Sequence, residues 1–466
     1  MRKFTLLALI WILLGSTGYT ADFFCESGNV GCLISAIEVS NGNGQDNTIF
    51  LEEGEYTIHA FNNRTDADNG LPVISGRISI RGPEGTGSTI ERDPAAKEFR
   101  IFQVDPTGYL TLDWLGIRNG ELSAQLPVVE ACGGAIYNRG RLTISRNAIY
   151  NNTAWITGGG GAICNVGVLY VSNSEFYNNF DYSEPGGAIN SSGQMFVEDS
   201  VFTDNKAGFG AAISNSGSAQ LIRTTLSKNE AGYGSGVNNE GTLWIENSSS
   251  NHNTGAALFN RGTLTVVNTT VSDNFSSTTG AGGIHNLGVL FVKNSTIVYN
   301  TSYRLPAGLQ TTNVAARVQN SIVAFNLAIH TELGRSVPAD CGFILTSLGN
   351  NIFGTTDGCT VTLRSTDTVG DPLLGPFMED ETPGSGHFPL TPNSPAIDRA
   401  SDGACSPFDQ IGEQRNELCD IGAVELPPVE EIGSGHGGRG DHANRGNPPK
   451  RARRWLVPRG RGRNSN

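Results

Sequence analysis

The strongest constraint on this chain is an asparagine that stands twelve residues after a glycine, seven times over. The glycines are Gly140, Gly167, Gly193, Gly217, Gly241, Gly262 and Gly288. The asparagines are Asn152, Asn179, Asn205, Asn229, Asn253, Asn274 and Asn300. Four residues before each glycine stands an apolar anchor: Ile136, Ile163, Ile189, Ile213, Val237, Leu258 and Ile284, at spacings of 27, 26, 24, 24, 21 and 26. A worn further copy, RVQNSIVAFN, ends at Asn326. A unit this short cannot bury its own apolar side chains. Stacked copies can, so the repeat demands a solenoid.

Each copy alternates with period two after its glycine, as in Leu142/Ile144, Leu169/Val171, Leu243/Ile245, Leu264/Val266 and Leu290/Val292. That is strand periodicity, bounded by Gly, Asn and Ser as short strands between tight turns should be. No helical apolar stripe runs through the region, and the frame of a leucine-rich repeat is absent. Hexapeptide periodicity is absent, and the repeat is too short for a propeller blade. The expected fold is all-β: a right-handed parallel β-helix of about eleven or twelve coils. The glycines suit turns that need positive φ, or places where backbones leave no room for a side chain. The asparagines suit left-handed turn positions and can bond to one another as a ladder.

The ends read differently. Residues 1–21 have a basic start (Arg2, Lys3), an apolar run from Leu6 to Leu14 and small residues after it, the pattern of a secretory signal peptide. No later apolar run approaches the roughly 18 residues of a spanning helix, so no transmembrane segment is expected in the mature chain. Residues 22–60 are expected to form an N-terminal cap and first coil, 61–330 the β-helix repeats, and 331–425 C-terminal coils and a cap. Residues 426–466 carry nine Lys/Arg against three Asp/Glu and are rich in Gly and Pro, which predicts a disordered basic tail. Eight cysteines fall in neighbour pairs without a C-x-x-C spacing. In an exported chain Cys25 with Cys32, Cys341 with Cys359 and Cys405 with Cys419 are disulfide candidates; Cys132 and Cys164 read as buried free thiols.

The GGAI at Gly133, Gly160 and Gly186, with FYNN (Phe176–Asn179) and FTDN (Phe202–Asn205), resembles the GGA[I/L] and FxxN repeats of bacterial polymorphic outer membrane proteins. Further on, SLGNNIFG (Ser347–Gly354), DPLLGPF (Asp371–Phe377), LTPNSPAIDRA (Leu390–Ala400) and CDIGAVE (Cys419–Glu425) together resemble the choice-of-anchor Q domain of bacterial surface proteins. The segment from Gly31 to Ile58 is similar to a degenerate CSLREA opening. The resemblance implies a pectin-lyase-like solenoid at the cell surface, with adhesion as its business, and few members have an assigned reaction.

Polysaccharide-active enzymes share that fold, so chemistry has to be sought. Lyases need carboxylates for calcium and an Arg or Lys base; hydrolases need a carboxylate pair. The column just before the asparagines holds Asp204, Lys228 and His252, the candidate catalytic trio where charge breaks the repeat. Asp398, Asp409, Glu413, Arg415 and Asp420 cluster near the C-terminus and read as turns and capping. His285 reads as a satisfied structural residue. No cofactor or metal site is expected, calcium being the single metal the fold would suggest. The formal charge of −13 argues against nucleic acid as the ligand. A long Asn/Ser/Thr-rich face suits a glycan or cell-envelope polymer. The expected function is an exported, extracellular or cell-surface binding, adhesion or structural module, with a polysaccharide lyase or hydrolase as the alternative.

Overall fold

The structure is a computed structural model. It describes residues 21–85, 87–122, 132–155, 158–182, 185–277, 280–303, 306–312, 316–330 and 335–427. The segment up to residue 20, expected to be a signal peptide, and the chain from 428 onward, expected as a disordered tail, lie outside the described residues.

The chain is a right-handed parallel β-helix. The first repeat shows the plan of one coil. A short strand, Ile136–Asn138, turns at Gly140 into a longer one, Arg141–Ser145. A second turn leads to Ala148–Tyr150, and a third to the two-residue Thr153–Ala154. Each of these four strands pairs in parallel with its counterpart one coil on. The apolar anchors stack in strict register: Ile136 on Ile163, Ile163 on Ile189, Ile189 on Ile213, and so on to Ile284 on Leu309. With Leu142, Ile144 and Ile149 and their counterparts they fill a continuous core. The column of longer strands runs from Ala21–Cys25 to Cys359–Thr362. At the strand spacing of a parallel sheet the stack is about 60 Å tall.

The two ends are built differently. Helix α1, Val30–Gly42, closes the N-terminal end; Asn29 Oδ1 caps it by accepting from Cys32 N at 3.0 Å. Its buried residues Leu33, Ala36, Ile37 and Ser40 have helical spacing and cover the first strands. The C-terminal residues do more than close the other end. After Thr368–Val369 the chain doubles back along one flank. Asn350 donates to Arg399 O, Asn320 to Ser401 O, Asn294 to Ala404 O and Asn268 to Phe408 O, while Gly384 N reaches Thr225 Oγ1 at 2.7 Å. This strap lies across six successive coils. Beneath it Thr225, Ser249, Thr270 and Thr296 are buried, whereas Glu175 and Val201, at the same position on the two preceding coils, are half-buried.

Candidate functional site

The turn after the third strand places the catalytic trio proposed from sequence. Asn151, Asn178, Asp204, Lys228, His252, Asp273 and Tyr299 all adopt φ between 54° and 57°. A matching column at the preceding turn (Arg146, Asn173, Asp199, Arg223, Asn247, Asn268, Asn294) is also left-handed. The expected positive φ therefore falls one residue before the ladder asparagines. Asp204, Lys228 and His252 occupy successive coils, yet no ion pair joins them among the described residues. His252 Nδ1 lies 3.0 Å from Asn251 Oδ1, and its ring meets the edge of Phe377 in the strap at 5.9 Å. Asp273, next in the column, has its carboxyl pushed up by burial, with the Ser272 hydrogen bond and His252 opposing that shift. The trio is a turn column partly covered by the strap, not an assembled acid–base site.

The repeat asparagines form a buried ladder. Asn152 Nδ2 donates to Asn179 Oδ1 at 3.0 Å, and the pattern continues through Asn205, Asn229, Asn253, Asn274 and Asn300 to Asn326. Asp340 ends it by accepting from Asn326 Nδ2 at 2.9 Å and Asn326 N at 2.8 Å. The repeat glycines do not use positive φ. They answer to the second reason: a Cβ on Gly241 would fall 2.1 Å from Gly217 O, and one on Gly262 2.0 Å from Gly241 O. Disulfides join Cys25 to Cys32, Cys341 to Cys359 and Cys405 to Cys419. Cys132 and Cys164, expected as free thiols, are also joined. Their Cα atoms stand 5.5 Å apart because Cys132 precedes Gly133, which packs against Cys164 N on the next coil. The C-terminal polar cluster is structural. Arg415 and Glu425 form an ion pair at 3.0 Å with both side chains 2 % exposed. Asp409 accepts from Ile411, Glu413 and Glu425 amides, and Asp420 from those of Asp398 and Leu426.

The site that the structure does build lies on the face of the first short strands. The residue after each apolar anchor points out of the coil. These residues stack as Cys164, Asn190, Ser214, Asn238, Phe259, His285 and Gln310. A groove of about 300 Å³ is floored by Asn190, Ser214 and Asn238. Pro185 and Phe209 form one wall; Ser216, Glu240 and Arg261 form the other. Phe209 is held by stacking on Tyr233 at 5.6 Å. Glu240 and Arg261 pair with each other at 3.1 Å, and the Arg261 guanidinium lies 5.0 Å over the Phe259 ring. Asn238 Nδ2 donates to Ser214 Oγ at 3.3 Å, whereas its buried Oδ1 has no hydrogen-bond partner. The sequence reading missed this column. Its signal was there: a position that changes from Cys to Asn, Ser, Phe and His beside an anchor that stays aliphatic.

His285 continues the column beyond the groove. Burial, with the nearby Arg261 charge adding to it, lowers its imidazole to about 4, so it is neutral at pH 7. Its ring meets Phe259 edge-on at 5.0 Å, and Nδ1 has no hydrogen-bond partner. The expected satisfied histidine is buried by packing rather than by hydrogen bonds. No group of three His, Cys, Asp or Glu side chains is arranged to hold a metal among the described residues. No helix among them is long and apolar enough to cross a membrane.

No protein-family model matches the chain, and no curated protein does. Among solved structures the chain is similar to the pectate lyase Pel9A, at 14% identity and a TM-score of 0.44, over 87% of this chain and 96% of that one. It is also similar to the PL6 family alginate lyase AlyGC, at 10% identity and a TM-score of 0.37, over 87% of this chain and 58% of that one.

Proposed function

We propose that this chain is an exported binding module that holds a glycan in the groove over Asn190, Ser214 and Asn238. One observation carries the reading. The groove has a polar floor, one wall with a proline and an aromatic ring, and a single cation–anion pair in the other wall. Sugar sites combine these features, an apolar surface for ring faces and fixed polar groups for hydroxyls. Asp204, Lys228 and His252, the candidate catalytic residues, sit in a turn column away from the groove. The four disulfides support an oxidising, extracellular or cell-surface destination. The resemblance to choice-of-anchor Q proteins supports the same place.

Two measurements test this together. A glycan array should show binding that Phe209→Ala and Asn238→Ala weaken. Incubation with polygalacturonate and alginate, followed by ultraviolet absorbance for unsaturated uronates, should show no turnover. Turnover abolished by Arg261→Ala would replace binding with lyase chemistry. Fractionation of the producing cells should place the mature chain outside the cytoplasm.

A further inference from the structure

The short strands that close each coil carry a second feature, apart from the groove. Thr153–Ala154 is followed on the next coils by Phe180–Asp181, Lys206–Phe209 and Glu230–Tyr233, all in parallel. Trp155 and Tyr182, the residues after the first two, stack at 5.0 Å with their planes 26° apart. Phe180 braces both rings edge-on, at 5.9 Å from Trp155 and 6.2 Å from Tyr182. The backbone holds the pair: Trp155 N donates to Leu122 O at 2.8 Å and Tyr182 N to Ala154 O at 3.3 Å. The rings are nonetheless open, with Trp155 41% and Tyr182 65% exposed.

Trp155 covers one face of Tyr182. The other face looks toward the next coil, where the register puts Gly208, and then Gly232 one coil further on. Gly232 is unlike the repeat glycines. Its backbone is not left-handed, it is exposed, and the atom nearest the place of its Cβ is Gly208 O at 3.3 Å, against 2.1 Å for Gly241. Two successive glycines leave a notch beside the Tyr182 ring, two coils or about 10 Å long at the strand spacing. Lys206 and Glu230 stand on the same face, two residues before these glycines, and pair at 2.6 Å with both side chains exposed.

We propose that this notch is a second saccharide site, with a sugar ring on the open face of Tyr182 and its hydroxyls on Lys206 and Glu230. The polar rim sets the class. Lys206 Nζ only donates and the Glu230 carboxylate only accepts, side by side. Neighbouring sugar hydroxyls answer both, since each donates and accepts. A run of prolines, another guest of exposed aromatic rings, has carbonyls for Lys206 but no N–H for Glu230. The stacked, braced rings are already fixed, so little ordering is needed when a ligand arrives. No notch residue lines the groove over Asn190, Ser214 and Asn238, so the two sites stand or fall separately.

The test is saturation-transfer NMR on the full chain, with hexasaccharides of glucose, mannose, xylose and galacturonate and with a proline decapeptide. The expected result is saturation at the ring C–H protons of at least one saccharide and none in the peptide. Phe209→Ala removes the groove's share of the signal. In that background Tyr182→Ala should weaken what remains about tenfold, and Gly232→Phe, which fills the notch, should abolish it. Saccharide binding that survives both notch variants, in proteins with unaltered Tm, overturns the notch and leaves the groove in place. Saccharide binding lost entirely in Phe209→Ala does the same. Peptide saturation that Tyr182→Ala removes overturns the choice of a saccharide. No saccharide signal at all counts against both sites.

Discussion

At the residue scale the repeat glycine is a matter of clearance. Coils stack so closely at that turn that the space of a Cβ is occupied by the carbonyl oxygen of the coil below. A methyl group there must displace backbone, which cannot shift without disturbing the ladders on both sides. Gly241→Ala is therefore expected to destabilise by about 3 kcal/mol, read as a lower urea midpoint with an unchanged m-value. Gly42 gives the contrast. It sits at the end of α1, and the space its side chain would occupy has no other atom within 4 Å, so Gly42→Ala should be neutral or stabilise by roughly 0.5 kcal/mol. His285 supplies a pH dependence. Its folded-state value of about 4 lies below the ordinary value near 6.5, so between those values the unfolded state binds more protons. Stability present above pH 6.5 is lost as the pH falls toward 4, by up to about 3 kcal/mol. Asp340, Asp409 and Asp420, raised mainly by burial, bias stability the opposite way in acid. The measurement is thus a difference: the pH profile of wild-type unfolding minus that of His285→Phe. If the two profiles run parallel from pH 7 to 4, the account of His285 is wrong.

At the element scale the turns, more than the strands, specify the coil. Asn229 shows what a ladder asparagine does, with four side-chain hydrogen bonds. Asn229 Oδ1 accepts from Asn205 N and Nδ2; its Nδ2 donates to Phe202 O and Asn253 Oδ1. A second, shorter-reaching ladder runs in two stretches, Asn147 to Ser174 to Ser200, and Thr224 through Ser248, Thr269 and Ser295 to Ser321. In it the side chains of one coil accept amides of the coil before. A third uses Asn215, Asn239, Asn260 and Asn286 beside the repeat glycines. Asn229→Ala would orphan the Asn205 amide N–H, take one of three partners from Asn205 Nδ2 and remove a donor from the Phe202 carbonyl, all in a buried stack, a cost of about 3 kcal/mol. Asn229→Asp keeps the acceptor but loses both donors and buries a charge, so it should be at least as damaging; thermal unfolding of the pair checks this. The first ladder was legible in the sequence because its spacing from the glycine is fixed. The second was not, because Ser, Thr and Asn alternate in one role and look like surface composition. Helix α1 was also readable from Leu33, Ala36, Ile37 and Ser40, but a chain dominated by period-two alternation hides one short helix at its end.

At the scale of the whole molecule, a solenoid is held only by neighbours, so its ends and seams decide its stability. The stack itself followed from the repeat. The groove did not, since its floor is assembled from single positions about 25 residues apart whose identities differ. The strap was hidden for another reason. Its motifs near residues 371–425 carry no period, and nothing in them says which coils they will cover. It acts as a clamp: one segment touches six coils, hydrogen-bonding to five of them, and so resists the coil-by-coil fraying that a one-dimensional stack permits. Its own integrity rests on the Cys405–Cys419 disulfide and on the buried Arg415–Glu425 pair. Arg415 also donates to the Asp420, Gly422 and Ala423 carbonyls, fixing the last turn of the strap. Removing one partner leaves the other charge buried without compensation, which costs roughly 3–5 kcal/mol. Glu425→Gln should therefore loosen the strap, and Arg415→Met with Glu425→Leu should recover part of that loss because no lone charge remains. The readout is limited proteolysis followed by mass spectrometry. Cleavage within residues 371–427 should come first in Glu425→Gln, with hydrogen exchange then rising at Thr225, Ser249, Thr270 and Thr296 while the coils before residue 200 stay protected. Simultaneous loss of protection along the full stack would show that the coils unfold as one unit, and that the strap is a passenger on the solenoid, not its clamp.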